Sequence, residues 1–177
     1  MLLVQALDAR ERPGTALDVG CGAGTYSLYM AERGYGVTAI DFMPEAVNML
    51  RQRAMEAGQH IDVAEADART WTGNKQFDLV LDVGCLHSFN AEDRQAYKNR
   101  LLQWLTPGGD FILTHFGRRG WWDRWPLGPH RVSRTAIETL FGPELTLYKY
   151  LCDPLINMPL LLGRSAIVGR YWFRRSS

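Results

Sequence analysis

Short apolar runs alternate along the chain with segments of helical period. Thr15–Val19, Val37–Ile40, Ile61–Ala64, Phe77–Leu81 and Phe111–His115 are short, apolar and bounded by turn or polar residues, so each predicts a strand. The fourth, FDLVL, is apolar enough to be buried on both faces. Between them, Thr25–Arg33, Pro44–Ala57 and the run from Asn90 to Trp104 predict helices. Leu2–Arg10 predicts a short one with Leu3, Ala6 and Leu7 on one face. Pro44 suits a first helical position, where its missing N–H costs no bond. Asn90 can cap its helix, with Glu92 and Asp93 facing the positive end of the dipole. Pro107-Gly108-Gly109 predicts a turn into the fifth strand.

Strands alternating with helices of 10–15 residues mean βαβ units and a parallel sheet. The expected fold is therefore α/β: a doubly wound, mostly parallel sheet with ligands at the carboxyl ends of its strands. The last third departs from that rhythm. Ser133–Phe141 predicts a helix, and Leu145–Leu151 and Ala166–Phe173 then predict two strands with no helix between them, an antiparallel pair at one edge. Seven strands result. The 177 residues fit one domain, 1–177, with a short N-terminal cap and a lid-like loop at 117–132.

Composition narrows the classes. With 46% apolar and 22% charged residues, disorder and collagen-like repeats are excluded. Cys21, Cys85 and Cys152 are too scattered for a disulfide framework or a zinc site and suit a reducing cytoplasm. The expectation is a soluble cytoplasmic protein with no export signal and no membrane span, since the longest greasy run, Pro154–Leu162, is nine residues with two prolines. The net charge of +1 hides an asymmetry: residues 1–93 carry 7 basic and 14 acidic side chains, and residues 94–177 carry 13 and 5. Such a chain can hold a cation in its first half and attract an anion with its second.

The chemistry starts in LDVGCGAGT, Leu17–Thr25. Gly20, Gly22 and Gly24 are spaced G-x-G-x-G, not the G-x-G-x-x-G of a dinucleotide's pyrophosphate loop, and no Gly-Lys-Ser/Thr follows. Asp41 ends the second strand, where a carboxylate can take both ribose hydroxyls. Asp67 follows the third, within reach of a base's exocyclic amine, and Asp82 ends the fourth. With Asp18 these acids repel phosphate and suit a cationic nucleoside.

These segments resemble the class I S-adenosylmethionine-dependent methyltransferases. LDVGCGAGT looks like their motif I, VTAID with FMPEAV their second motif, AEADA the adenine-side motif, and FDLVLDVGCLHSF with LTPGGDFIL the later ones, in order from about Leu17 to His115. The resemblance implies S-adenosyl-L-methionine as cofactor and S-adenosyl-L-homocysteine as product. It implies that Gly20, Gly22 and Gly24 line the methionine moiety, that Asp41 grips the ribose, and that Asp67 with Ala68 holds the adenine; Cys21 and Phe42 are expected among the cofactor-binding residues. A finer likeness is to the thiopurine, tellurite-resistance and thiol or halide methyltransferases. Such enzymes carry some tens of residues ahead of the first strand that help cover the site, where this sequence has about 14.

Several side chains keep two readings. Asp18 binds cofactor or braces the glycine loop, and Asp82 serves cofactor, substrate or catalysis. His87 and His115 are candidate bases or packed histidines. In Gly117–Val132, Trp121, Trp122 and Trp125 stand among Arg118, Arg119, Arg124 and Arg131, a lid for a flat or anionic small-molecule substrate or a plug over the core. A thiol or small anion is the favoured acceptor, with phenol and amine as further options. No metal is called for. The alternatives are a SAM-binding sensor that does not methylate, a nucleotide-dependent oxidoreductase and an RNA methyltransferase; the near-neutral charge speaks against nucleic acid. Pro154–Leu162 is an expected contact surface of a homo-oligomer.

Overall fold

The computed structural model describes residues 1–73, 75–117, 131–142, 144–154 and 167–176. The elements are α1 (Leu2–Asp8), β1 (Thr15–Val19), α2 (Thr25–Ala31), β2 (Gly36–Asp41), α3 (Pro44–Glu56), β3 (Ile61–Glu65) and β4 (Phe77–Val83). A 3-10 turn (Leu86–Ser88) follows, then α4 (Ala91–Trp104), β5 (Leu105–Gly117), α5 (Arg134–Phe141), β6 (Leu145–Pro154) and β7 (Ile167–Arg175). The seven strands form one sheet in the order β3-β2-β1-β4-β5-β7-β6. β3 through β5 in that order are parallel neighbours, whereas β7 runs antiparallel to both β5 and β6. Among the described residues no helix is long and apolar enough to cross a membrane.

Burial explains the layers. On one face of the sheet Leu17, Val19, Val80, Phe111 and Phe173 pack under Tyr97, Leu101 and Trp104 of α4 and Ile137 and Phe141 of α5. On the other, Ala16, Leu79, Leu81, Ile112 and Trp172 pack under Leu2, Leu3, Ala6 and Leu7 of α1 and Met30 of α2. α3 closes a smaller cluster with Leu50 and Ala54 over Ala39. Asn90 caps α4 by accepting from the Asp93 N–H at 2.9 Å, and Ser133 caps α5 through Ala136.

β5 starts earlier than its sequence predicts. Leu105 already pairs with Phe77, and the next matched pair is Leu79 with Asp110. Pro107, Gly108 and Gly109 are thus surplus residues absorbed within the strand, with Gly108 at φ +74°, rather than a separate turn.

The sheet order reverses between β1 and β4, since β1 leads to β2 on one side and β4 to β5 on the other. The crevice outside their carboxyl ends is where such folds bind ligands.

Candidate active site

The loop after β1 is held in shape by its own backbone. The Gly20 and Cys21 N–H groups both donate to the Ile40 carbonyl, at 2.8 and 3.1 Å, tying the loop to the end of β2. Gly24 has φ +78°, and a Cβ there would come within 2.1 Å of Leu50 Cδ1. At Gly22, φ is +52° and a Cβ would meet nothing within 4 Å.

The four acids part company. Asp41, at the end of β2, accepts from Gly22 N–H at 2.8 Å and from Met43 N–H at 2.9 Å, so it fastens the glycine loop while lining the cavity beside it. Asp67 lines the same cavity, and both its oxygens accept from the Arg69 guanidinium, whose other arm reaches Asp93 at 3.1 Å. Asp18 points the other way: it accepts from Ser27 Oγ of α2 at 2.5 Å, and burial raises its pKa to about 6. Asp82 is fully buried, accepting from Cys85 N–H at 2.8 Å and Leu86 N–H at 3.1 Å to cap the 3-10 turn. Burial raises it to about 7, against these bonds and the Tyr97 hydroxyl beside it. Neither Asp18 nor Asp82 is a wall of the cavity; both brace the loops that are.

That cavity, of about 380 Å³, opens at the carboxyl ends of β1, β2 and β4 between Gly20, Asp41, Phe42, Asp67, Ala68 and Cys85. Phe42 is 69% exposed and offers a flat apolar surface at its mouth. Burial pushes the Cys21 thiol up to about 12 and the Cys85 thiol higher still, so both stay protonated near neutrality.

A second cavity, of about 190 Å³, abuts the first, and both are lined by Val83 and Gly84. His87, Thr114, His115, Phe116 and Val168 complete its described walls. The His87 ring lies edge-on to Phe116, 5.0 Å between centroids, and 6.2 Å from His115. A Cβ at Gly84, where φ is +94°, would come within 2.9 Å of the His87 ring, so only glycine leaves His87 this position. His115 is 1% exposed, and among the described residues neither ring nitrogen has a hydrogen-bond partner. Burial, reinforced by His87 and Arg94, drives its pKa down to about 3. At that value His115 is neutral near pH 7, with one ring nitrogen a donor and the other an acceptor.

The rest of the expected substrate site is described only at its ends. Val132 N–H donates to the Phe116 carbonyl at 3.2 Å and Val132 bridges to Gly117, so these described residues meet at the carboxyl end of β5. Arg131 is half-buried there. Arg118, Trp121, Trp122 and Trp125 lie outside the described residues, as does the apolar run 155–162 expected at an oligomer contact. Sequence reasoning missed Arg69 and Arg94. Arg69 stands two residues past Asp67, a spacing that could have flagged it, whereas Arg94 reads as one more charge on a solvated helix.

Comparison with known proteins agrees with this geometry. The family model described as a methyltransferase domain matches residues 16–109. A 2-heptyl-1-hydroxyquinolin-4(1H)-one methyltransferase of Mycobacteroides abscessus is 30% identical over 147 residues, 82% of this chain and 64% of that protein. The chain spans between 41% and 64% of the length of the first curated relatives it matches. Among solved structures, one from work on converting a disulfide bond into a thioacetal group during echinomycin biosynthesis is 26% identical, with TM-score 0.78, over 99% of this chain and 81% of that one. The N-methyltransferase NodS of Bradyrhizobium japonicum, solved with S-adenosyl-L-homocysteine, shares the fold at 22% identity, with TM-score 0.79, over 99% and 84% of the two chains. This chain belongs to the methyltransferase domain family, within the class I S-adenosylmethionine-dependent superfamily.

Proposed function

We propose that the protein transfers the methyl group of S-adenosylmethionine to a small-molecule nucleophile, with a thiol, thiolate or small anion as the favoured acceptor. The observation that carries this reading is the pair of abutting cavities, one walled by acids and glycine backbone, the other by apolar and imidazole groups, joined at Val83 and Gly84. The larger fits a cationic nucleoside. Asp41 and Asp67 present carboxylates to it, Ala68 and Phe42 present apolar surface, and Gly20 contributes backbone without a side chain.

S-adenosylmethionine supplies a methyl already activated on a sulfonium. The residues therefore have to bind, align and keep water out rather than form covalent intermediates, and alignment alone is worth roughly 7–11 kcal/mol at best. Asp41 would accept the ribose hydroxyls on the lone pairs left by Gly22 and Met43. Asp67 would exchange an Arg69 contact for the adenine amine. The names of the relatives are varied, a hydroxyquinolone methyltransferase in one and work on turning a disulfide into a thioacetal in another, so acidic hydroxyls and thiols are the first classes to try. Titration with S-adenosyl-L-homocysteine against NADH, then a methyl-donor assay over thiols, phenols, amines and halides, tests the reading. Tight homocysteine-analogue binding with turnover supports it. Binding without turnover on any acceptor class makes the chain a sensor, and NADH binding alone refutes the cofactor.

A further inference from the structure

The smaller cavity contains an unusual polar arrangement for its size and lining. Its wall is largely apolar, yet His115 presents two buried ring nitrogens that meet no partner among the described residues. Buried polar atoms normally have one, and each lacking it costs about 1–3 kcal/mol. A ligand group in the cavity would remove that cost.

The charges around this ring are uneven. His87 faces it from the 3-10 turn, and Asp82, beneath on β4, is spent on Cys85 and Leu86. On β7 the nearest charge is Arg170, opposite Thr114, and it is paired with Asp153. Arg94, in the first turns of α4, differs. It is half-buried, its Nε is sealed from solvent without an acceptor, and its charge reaches His115. Burial weighs on its guanidinium, and among the described residues no carboxylate offsets it. An arginine stays charged under such conditions, so among those residues its positive charge lacks a counterpart.

We propose, building on the methyl-transfer reading, that this cavity seats the acceptor as an anion, with neutral His115 donating a hydrogen bond to the nucleophilic atom and Arg94 supplying the counter-charge. The acceptor class is a single-ring or short-chain acid, a thiol or an acidic hydroxyl. Size fits: an apolar cavity of about 150 Å³ takes benzene, and this one measures about 190 Å³. Chemistry fits too. An acceptor that enters ionised has no proton to lose: its lone pair forms the new bond to the methyl carbon as the carbon–sulfur bond breaks, the electron pair stays on sulfur and neutral S-adenosyl-L-homocysteine leaves, so no base is needed.

The test uses 4-nitrophenol, whose ionised form is coloured, as probe with the full-length protein, both with and without S-adenosyl-L-homocysteine. Binding should move the midpoint of the colour titration down by about one pH unit, the equivalent of tenfold tighter binding of the anion. Arg94→Gln should return the midpoint to its free value. His115→Phe should weaken probe binding about tenfold, and His115→Gln, which keeps an N–H donor, should restore most of it. Circular dichroism on each variant reports folding. A probe bound in its neutral form, or bound equally by wild type, Arg94→Gln and His115→Phe, overturns the proposal. Failure to bind S-adenosyl-L-homocysteine would instead sink the methyl-transfer reading, because the probe titration without it judges the cavity alone.

Discussion

Asp41 shows how one side chain carries two duties. Sequence position alone suggests that Asp41→Ala would cost cofactor affinity and leave the apo protein intact. The structure changes that expectation, because alanine would strand the Gly22 and Met43 N–H groups, at about 1–3 kcal/mol each. Asp41→Asn keeps an acceptor oxygen and is the cleaner variant: S-adenosyl-L-homocysteine affinity by calorimetry should fall at least tenfold, with little loss of melting temperature. Asp18 and Asp82 lead to a prediction about pH. Both have folded pKa values raised by burial, to about 6 and about 7, above roughly 3.9 for an unfolded aspartate. The folded state binds their protons more tightly, so stability is greatest below pH 4 as far as these groups go and declines as pH rises to 7. Asp62, Asp67 and Glu144 are shifted down by cationic partners and act in the opposite sense, below that window. Asp82→Asn should therefore flatten the fall in urea midpoint between pH 4.5 and 7.5; an unchanged slope would contradict a buried, proton-holding Asp82. Sequence position identified these acids but not their aim. Whether a carboxylate at a strand end faces a cleft or a turn depends on the neighbouring backbone N–H groups, which the letters Asp82 do not reveal.

At the level of elements, the glycine loop separates geometry from ligand contact. Gly24→Ala meets both a left-handed backbone and Leu50, so it should disrupt the seating of α3. Gly22→Ala has only the backbone to overcome, at about 1–2 kcal/mol. Any loss of cofactor affinity in Gly22→Ala beyond that measured loss of stability reports contact with the ligand. Asn90→Ala should cost about 1 kcal/mol in chemical denaturation, because it strips the cap from α4. Strands β1 and β4 were legible because buried parallel strands are continuously apolar, and α4 was legible from its cap. The start of β5 was not. Pro107-Gly108-Gly109 carries the signature of a turn, and only pairing with β4 shows it to be slack within a strand.

The whole molecule divides its labour between the two edges of the sheet. The carboxyl edge holds the cavities, and the amino edge holds a buried charge cluster that no motif announced. Asp110, 1% exposed, accepts from Arg10 at 2.9 Å, from Trp172 Nε1 at 2.7 Å and from Arg174 at 2.9 Å. Its partners come from the segment after α1 and from β7, so distance along the chain hid the cluster. Asp110→Ala strands the buried Trp172 indole N–H, at about 1–3 kcal/mol, while Arg10 and Arg174 are partly exposed and regain water, so a loss of that size should appear. Acceptor preference and S-adenosyl-L-homocysteine affinity should remain as in wild type at temperatures where the variant is folded.

Strand β7 lies between β5 and β6 yet follows both in the chain. While the polypeptide is being made, the outer edge of β5 stays unpaired by β7 until residue 167 appears, and Phe111, Ile112 and Leu113 wait for residues 171–173. At cellular synthesis speeds the interval from Gly117 to Ile167 lasts roughly 3–10 s. The apolar face of α1 waits as long, since Trp172 completes its cluster. A bare apolar edge of this kind recruits other chains. Nascent chains arrested before residue 167 should therefore aggregate or be held by chaperones, whereas those arrested beyond residue 175, once clear of the ribosome, should close into the native sheet.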